Sequence, residues 1–88
     1  MSRRFTVTIR RNAQKQLYSI QRNFRLKIEI EIAKLAVIPY PHGCKKLKGE
    51  DGFWRIRVGN YRVIYTVADS ICIIEIHAVG HRQSIYKN

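Results

Sequence analysis

Three arginines in the segment Phe53–Tyr65 have the spacing needed to bind one phosphate group together. Gly59-Asn60 is a two-residue turn signal between two runs of alternating residues, so it predicts a β-hairpin. In that hairpin Arg57 faces Arg62, and Arg55 lies on the same side two residues along, because side chains alternate sides. Like charges directly opposite each other are destabilising. A planar guanidinium, however, binds phosphate oxygens and stays charged at any working pH. The spacing therefore indicates a polyanion site.

The composition agrees with an anionic partner. The 88 residues include 17 lysines and arginines against 6 aspartates and glutamates, which gives a net charge of +11 and an isoelectric point near 10.3. Such an excess of positive charge favours nucleic acid as the partner, followed by an acidic protein and then by a membrane surface. The length suits one domain, residues 1–88, and the apolar fraction of 45% argues against disorder.

Several classes of protein and site do not fit this sequence. No run approaches the roughly 20 apolar residues of a membrane span, and residues 1–6 lead into a strand pattern instead of a signal peptide. The two cysteines lack metal spacing, and His42, His77 and His81 have no carboxylates grouped around them. We therefore expect no metal, no cofactor, no membrane partner and a cytoplasmic location.

Hydrophobic periodicity predicts the elements before the hairpin. Residues 4–10 alternate as a strand does, and Asn12 is a suitable N-cap for a helix. Residues 24–38 fit a second helix, because about 15 residues is long for a strand, and the prolines at 39 and 41 end it. The inward positions of the two helices are expected to be Ala13, Leu17 and Ile20, then Phe24, Ile28, Ile32 and Leu35.

The second half of the chain has the pattern of a three-stranded meander. The hairpin strands are 53–58 and 61–67, and an Asp69-Ser70 turn leads to a last strand over 71–78. The predicted fold class is α+β: an N-terminal strand, two helices and the antiparallel meander, with the helices packed on one face of the sheet. The helix-facing side of the meander should comprise Trp54, Ile56, Val58, Tyr61, Val63, Tyr65, Val67, Cys72, Ile74 and Ile76.

Strand pairing through the last turn predicts which polar residues meet. His77 falls opposite Arg62, and Glu75 falls opposite Ile64 in the next row. A charged strand face is more often solvated decoration than a site, and in that case Glu75 would neutralise Arg55. Three arginines against one glutamate favour a site.

Three segments together resemble the RelE/ParE superfamily of bacterial toxins, the toxic halves of type II toxin–antitoxin pairs. They are Lys46–Gly49, Trp54–Tyr65 and Val79–Tyr86, and the resemblance covers nearly the whole chain. Gly80-His-Arg82 followed by Tyr86 is similar to the RelE branch, which cleaves messenger RNA in the ribosomal A site. ParE-like members, which poison DNA gyrase, usually lack that tyrosine.

The resemblance implies a role for each matching residue. Arg55 and Arg57 match two basic positions that contact the substrate phosphate, and Arg62 matches an arginine that stabilises the charged transition state. Arg82 matches the arginine proposed as general acid toward the leaving 5′ oxygen. Tyr86 matches the tyrosine proposed as general base for the 2′ hydroxyl. Because that hydroxyl belongs to the substrate, no serine or cysteine nucleophile is required.

The general base stays open between two residues. A free tyrosine has a pKa near 10 and needs nearby cations to act at neutral pH, whereas a histidine has a free pKa of about 6.5. The family points to Tyr86, although the interval from Arg82 is two residues shorter than in the best-known RelE. His81, at a position that is often lysine, is the second choice.

The resemblance also implies partners. An acidic antitoxin should cover the basic surface, partly through an amphipathic helix or an added strand, and operator DNA would be met only through the antitoxin complex. Lys45, Lys46 and Lys48 suit contacts with the RNA backbone of the ribosome or messenger, or form only a solubilising loop. The expected function is a ribosome-dependent messenger RNA endonuclease toxin. The alternatives are a ParE-like gyrase inhibitor and a catalytically inactive relative that binds RNA or antitoxin.

Overall fold

Two helices and a five-stranded mixed sheet make up the part of the chain, residues 3–49 and 51–81, that the computed structural model describes. The order is β1 (Thr6–Ile9), α1 (Arg11–Tyr18), α2 (Arg22–Lys34), β2 (Lys45–Lys46), β3 (Phe53–Val58), β4 (Tyr61–Ala68), a 3-10 turn (Asp69–Ile71) and β5 (Ile73–His81). The strands lie in the order β1-β5-β4-β3-β2, and β1 runs parallel to β5 while the other pairs are antiparallel. The predicted α+β class is confirmed.

Helix α1 begins at Arg11, so the prediction of Asn12 as its N-cap is wrong. Arg10 takes the N-cap position with φ −62° and ψ 150°, without a side-chain capping bond. The backbone N–H of Arg10 donates to the carbonyl of Ile76 at 3.0 Å. The chain therefore leaves the sheet only at Arg10, and the helix starts directly after this last sheet contact.

Helix α2 ends at Lys34, before the two prolines that were expected to stop it. Residues 35–38 continue as a hydrogen-bonded turn. Ile28, Ile32 and Leu35 are buried as predicted, but Phe24 is 41% exposed. Phe24 lies in the first turn of α2, where its ring packs against Tyr61 with centroids 5.8 Å apart at the margin of the core.

Two predicted boundaries in the sheet are wrong. Lys45–Lys46, expected in a basic loop, form the edge strand β2 against β3. The last strand spans Ile73–His81 instead of 71–78, because Asp69–Ile71 form a 3-10 turn and Cys72 takes a left-handed conformation with φ +53°. Cys72 is half-buried and packs against the core as predicted, but it does so from that turn and not from a strand.

The hydrophobic core lies between the two helices and one face of the sheet, and it comprises Phe5, Ala13, Leu17, Ile20, Ile28, Ile32, Leu35, Ile56, Val63, Tyr65, Ile74, Ile76 and Val79. Trp54, Val58, Tyr61 and Val67 pack against it. The opposite face of the sheet thus stays available for polar groups. No helix in the described ranges is long and apolar enough to cross a membrane.

Candidate functional site

The β3–β4 hairpin holds the three arginines in the predicted register. Arg57 pairs with Arg62, and Arg55 pairs with Ile64. Gly59 has φ +61°, which fits the first central position of a type II′ turn and needs a residue without a Cβ. Because that turn fixes the pairing, two cationic side chains lie directly across the strands from one another on the face away from the helices.

The three arginines differ in burial. Arg57 is exposed and Arg62 is half-buried, whereas Arg55 is only 7% exposed. The Nε of Arg55 is buried and has no hydrogen-bond partner among the described residues. A buried cation is costly unless it is paired. An anionic ligand would supply a hydrogen-bond acceptor for this Nε and a negative charge beside the buried guanidinium.

A cleft of about 330 Å³ opens beside β3, where β2 has ended. It brings Lys45, His42 and Glu31 to the same place as Arg55 and Arg57. Within the part of the chain that is described, neither of these arginines has a carboxylate at ion-pair distance; Glu31 pairs with Lys34 at 3.1 Å instead. The cleft therefore offers several cations to a phosphate. Sequence reasoning missed His42, because no local pattern shows that its loop returns to the edge of β3.

His77 does not lie opposite Arg62, so this predicted pairing is wrong. The register of β4 and β5 shifts between Ile64 and Tyr65, which pair with Ala78 and Ile76. His77 is the extra residue of this β-bulge, and Gly80 takes the place opposite Arg62. Bulges redirect a side chain and are common beside active sites.

Glu75 lies opposite Thr66 instead of Ile64, so it does not sit in the row of Arg55. Its carboxylate is 3.4 Å from the Nε2 of His77, and the hydroxyl of Thr66 is 2.9 Å from the same nitrogen. Burial lowers the pKa of His77 below its usual value, and the Glu75 carboxylate opposes this effect. This shift favours the neutral form of the imidazole.

The arginine face also has an apolar part, in which sequence reasoning placed Ile64 but missed Phe53. Phe53 lies two residues before Arg55 on the same face, since side chains alternate along β3. Ile64, next to Arg55 across the hairpin, is 8% exposed although it is not part of the core under the helices. The signal in the sequence was spacing: Phe53 lies two residues before Arg55 and Ile64 two residues after Arg62, so each shares a strand face with an arginine.

His81 lies at the end of β5, where it pairs with Tyr61. Its ring stands nearly perpendicular to that of Tyr61, with centroids 5.8 Å apart. It also lines a groove of about 480 Å³ with Phe24 and Lys27. The structure thus associates His81 with the helix-facing side of the sheet and not with the three hairpin arginines.

The remaining site candidates fall into two groups. Arg82 and Tyr86 lie outside the described residues. Lys45, Lys46 and Lys48 are all exposed, and Lys45 pairs with Arg55 while Lys46 pairs with Trp54. By strand alternation, only Lys45 of the β2 pair shares the arginine face.

Two tyrosines in the described ranges are unsuited to proton transfer. Tyr65 is fully buried, and its hydroxyl donates to the carbonyl of Pro39 at 2.8 Å. Burial and the neighbouring Cys44 raise its pKa above the usual value. Burial and the nearby Asp69 carboxylate likewise raise the pKa of Tyr40. Both phenols therefore stay protonated, in agreement with the interpretation of Tyr65 as a core residue.

The described residues include no cluster of three or more His, Cys, Asp or Glu side chains that could hold a metal ion. What the hairpin does present is a set of cations around a buried arginine, on the sheet face away from the helices. Chemically, this arrangement can bind a phosphodiester and stabilise additional negative charge on it.

Comparison with known sequences identifies similar proteins along nearly the whole chain. Residues 7–86 match a family described as the ParE toxin of the type II toxin–antitoxin system parDE. A curated protein of Methanocaldococcus jannaschii that carries the name toxin RelE1 is 33% identical over an alignment that covers 97% of this chain and 98% of that protein.

Comparison with solved structures identifies similar chains in toxin–antitoxin complexes. The RelE–RelB complex of the archaeon Pyrococcus horikoshii contains a chain that superposes with a TM-score of 0.79 and 27% identity, covering 91% of this chain and 97% of that one. The RelBE2 toxin–antitoxin complex of Mycobacterium tuberculosis gives a TM-score of 0.76 and 27% identity, with 90% and 99% coverage. Both similarities thus extend over at least 90% of this chain.

Proposed function

The chain belongs to the RelE/ParE superfamily of type II toxin–antitoxin toxins, and from that premise we propose that it is a ribosome-dependent endoribonuclease that cuts messenger RNA in the A site. The observation that carries the proposal is the placement of Arg55, Arg57 and Arg62 on one face of a single hairpin. Opposed cations in a hairpin are unfavourable without a ligand. A phosphodiester between them removes that cost.

Arg55 and Arg57 hold the substrate phosphate. Arg55 is buried, and its Nε has no hydrogen-bond partner among the described residues, so a phosphate oxygen would supply the acceptor that this donor needs. Arg57 is exposed and supplies a second cation two residues along the strand. A planar guanidinium donates paired hydrogen bonds to phosphate oxygens, which limits the orientations that the phosphate can adopt.

Arg62 stabilises the transition state. The adjacent 2′ oxygen of the RNA attacks phosphorus as its proton leaves, and the bond from phosphorus to the 5′ oxygen breaks, which leaves a 2′,3′-cyclic phosphate and a 5′ hydroxyl. Negative charge builds on the non-bridging oxygens during this step. A fixed donor aimed at such charge contributes about 10²–10³ in rate by analogy with oxyanion holes.

Two residues beyond the described ranges complete the chemistry. Tyr86 accepts the proton of the 2′ hydroxyl, and Arg82 donates a proton to the leaving 5′ oxygen. The position of His81 beside Tyr61, with the helix-facing residues, supports Tyr86 over His81 as the base. Cations near a phenol lower its pKa, so in this proposal the arginine cluster increases the fraction of Tyr86 in the phenolate form, which is the form that accepts a proton.

Lys45 and Lys48 extend the basic surface beyond the hairpin and would contact the RNA backbone of the messenger or ribosome. Such contacts carry little sequence information and weaken with salt. Lys46, which points to the other side of β2 by strand alternation, would serve the ribosomal surface and not the cleaved phosphate.

An acidic antitoxin partner is part of this proposal. The structures similar to this chain include RelE proteins in complex with RelB antitoxins. A net charge of +11 favours association with an acidic protein. An antitoxin that covers the arginine face would exclude RNA from it, and operator DNA would be bound only by the resulting complex.

Gyrase inhibition is the second candidate, because the matching family is described as the ParE toxin of parDE. Purified protein added to a translation reaction and to a gyrase supercoiling reaction separates the two. Under the proposal, messenger is shortened and carries 2′,3′-cyclic phosphate ends, while supercoiling continues. Loss of supercoiling with intact messenger would replace the proposal by the gyrase function. If both reactions are unaffected although antitoxin binds, the protein is a catalytically inactive relative.

A further inference from the structure

An aromatic side chain occupies the arginine face of the sheet. Phe53 begins β3, and its parity places it with Arg55 and Arg57, away from the helices. It is half-buried, so part of the ring remains accessible. An apolar ring on this face does not contribute to the core between helices and sheet. Its position beside a phosphate-binding cluster therefore calls for another explanation.

The β-bulge fixes the orientation of this ring. The imidazole of His77, the extra residue of the bulge, packs against Phe53 with centroids 4.8 Å apart and ring planes inclined by 62°. The imidazole is in turn held by the Thr66 hydroxyl at 2.9 Å and by the Glu75 carboxylate at 3.4 Å. Phe53 is thus supported from one side by a chain of contacts that reaches two neighbouring strands.

The strand spacing between Phe53 and the arginines suits one nucleotide. Residues two apart on a strand are separated by about 7 Å, so Phe53 and Arg55 lie next to each other on the face. The nearly buried Ile64, which pairs with Arg55, lies on the same side of the sheet. Unpaired bases of single-stranded RNA characteristically stack on aromatic side chains, while their phosphates bind arginines.

We propose that Phe53, positioned by His77, is a stacking subsite for an unpaired nucleobase whose phosphate is held by Arg55 and Arg57. The inference rests on the proposed function and adds a second point of attachment to the substrate. Stacking tolerates any base, because every base has a π-face. The subsite therefore fixes the position of the cleaved strand without selecting a codon by hydrogen bonds.

The test uses ribosomes programmed with a messenger that has a 2′-deoxy sugar at the cleavage position, so that it binds without being cut. The fluorescent base 2-aminopurine replaces one base of the A-site codon, at each of its positions in turn. Stacking quenches 2-aminopurine, so wild-type protein should quench it at one position. Phe53→Leu keeps an apolar side chain but removes the ring. It should abolish the quenching and raise the protein concentration needed for half-saturation about 5- to 150-fold. Phe53→Tyr should restore both.

A matched control is Tyr18→Leu, which removes an exposed aromatic ring (65% exposed) from α1 on the other side of the sheet and should change neither readout. Thermal unfolding of Phe53→Leu identifies any loss of folded protein. If folded Phe53→Leu quenches and binds as wild type does, while wild type cleaves a normal messenger, the stacking subsite is wrong and the nuclease proposal stands. If wild type fails to cleave the normal messenger on ribosomes, the nuclease proposal itself is wrong.

Discussion

At the scale of single residues, the three hairpin arginines are unequal. Arg55 is buried, so its removal would change packing as well as charge, whereas Arg57 is exposed and its removal changes mainly charge. Arg57 and Arg62 lie directly opposite each other, and like charges in this arrangement repel. Function and stability should therefore conflict most clearly at residue 57.

Replacing Arg57 by glutamate should stabilise the fold and impair cleavage. The substitution converts an opposed like-charge pair into an attractive one, which is worth about 0.2–1 kcal/mol in a cross-strand pair. Urea unfolding measures this gain, and cleavage on programmed ribosomes should fall because the phosphate loses a ligand. Lys48→Glu is the matched control, since it makes the same change in net charge at an exposed turn. A lower free energy of unfolding for Arg57→Glu than for Lys48→Glu would contradict the account.

His77 should make stability depend on pH in a defined direction. Its pKa is lowered in the folded protein by burial, an effect that nearby Arg10 reinforces and Glu75 opposes. As pH falls below about 6.5, the unfolded chain therefore takes up a proton that the folded chain resists, and the free energy of unfolding decreases. In His77→Gln this part of the decrease should vanish. Thermal unfolding at about pH 8 and about pH 5.5 measures it, and an identical pH dependence in both proteins would refute the assignment.

At the scale of secondary structure, the hairpin determines the site. Its register could be predicted from the sequence because a strong turn signal and strict alternation agree at Gly59-Asn60. The bulge at His77 could not, since it arises from the pairing of β4 with a third strand and leaves no local signal. For the same reason the sequence did not indicate the parallel pairing of β1 with β5, the two-residue strand β2 or the start of α1 at Arg11.

The turn residue Gly59 offers a direct test of this element. A methyl group added at Gly59 would meet no atom within 4 Å, so Gly59→Ala adds conformational strain without a steric clash. With φ at +61°, the cost should be about 1–2 kcal/mol in the free energy of unfolding. Asn60→Ala, in the neighbouring turn position, is the control and should cost less. Equal effects in urea unfolding would argue against the type II′ geometry that sets the arginine register.

At the scale of the whole molecule, the sheet separates two tasks. One face packs against the helices and provides stability, and the other face carries cations around a buried arginine and an aromatic ring. Composition indicates an anionic partner, which stays a prediction, and the hairpin pattern predicted the register of Arg55, Arg57 and Arg62, which the structure confirms. The burial of Arg55, the contact of Phe53 with His77 and the position of His42 in the cleft beside Arg55 depend on packing between distant segments. A single sequence does not reveal this packing.

The most direct test of the central claim is primer extension on a defined messenger, with and without programmed ribosomes, using wild type and Arg62→Ala. If the proposed nuclease function is right, cuts appear inside the A-site codon only when ribosomes are present. The proposed function also predicts a fall of about 10²–10³ in the cleavage rate for Arg62→Ala without loss of folded protein. Uncut messenger with wild type under both conditions, or undiminished cutting by Arg62→Ala, would contradict the claim that this arginine face cleaves RNA.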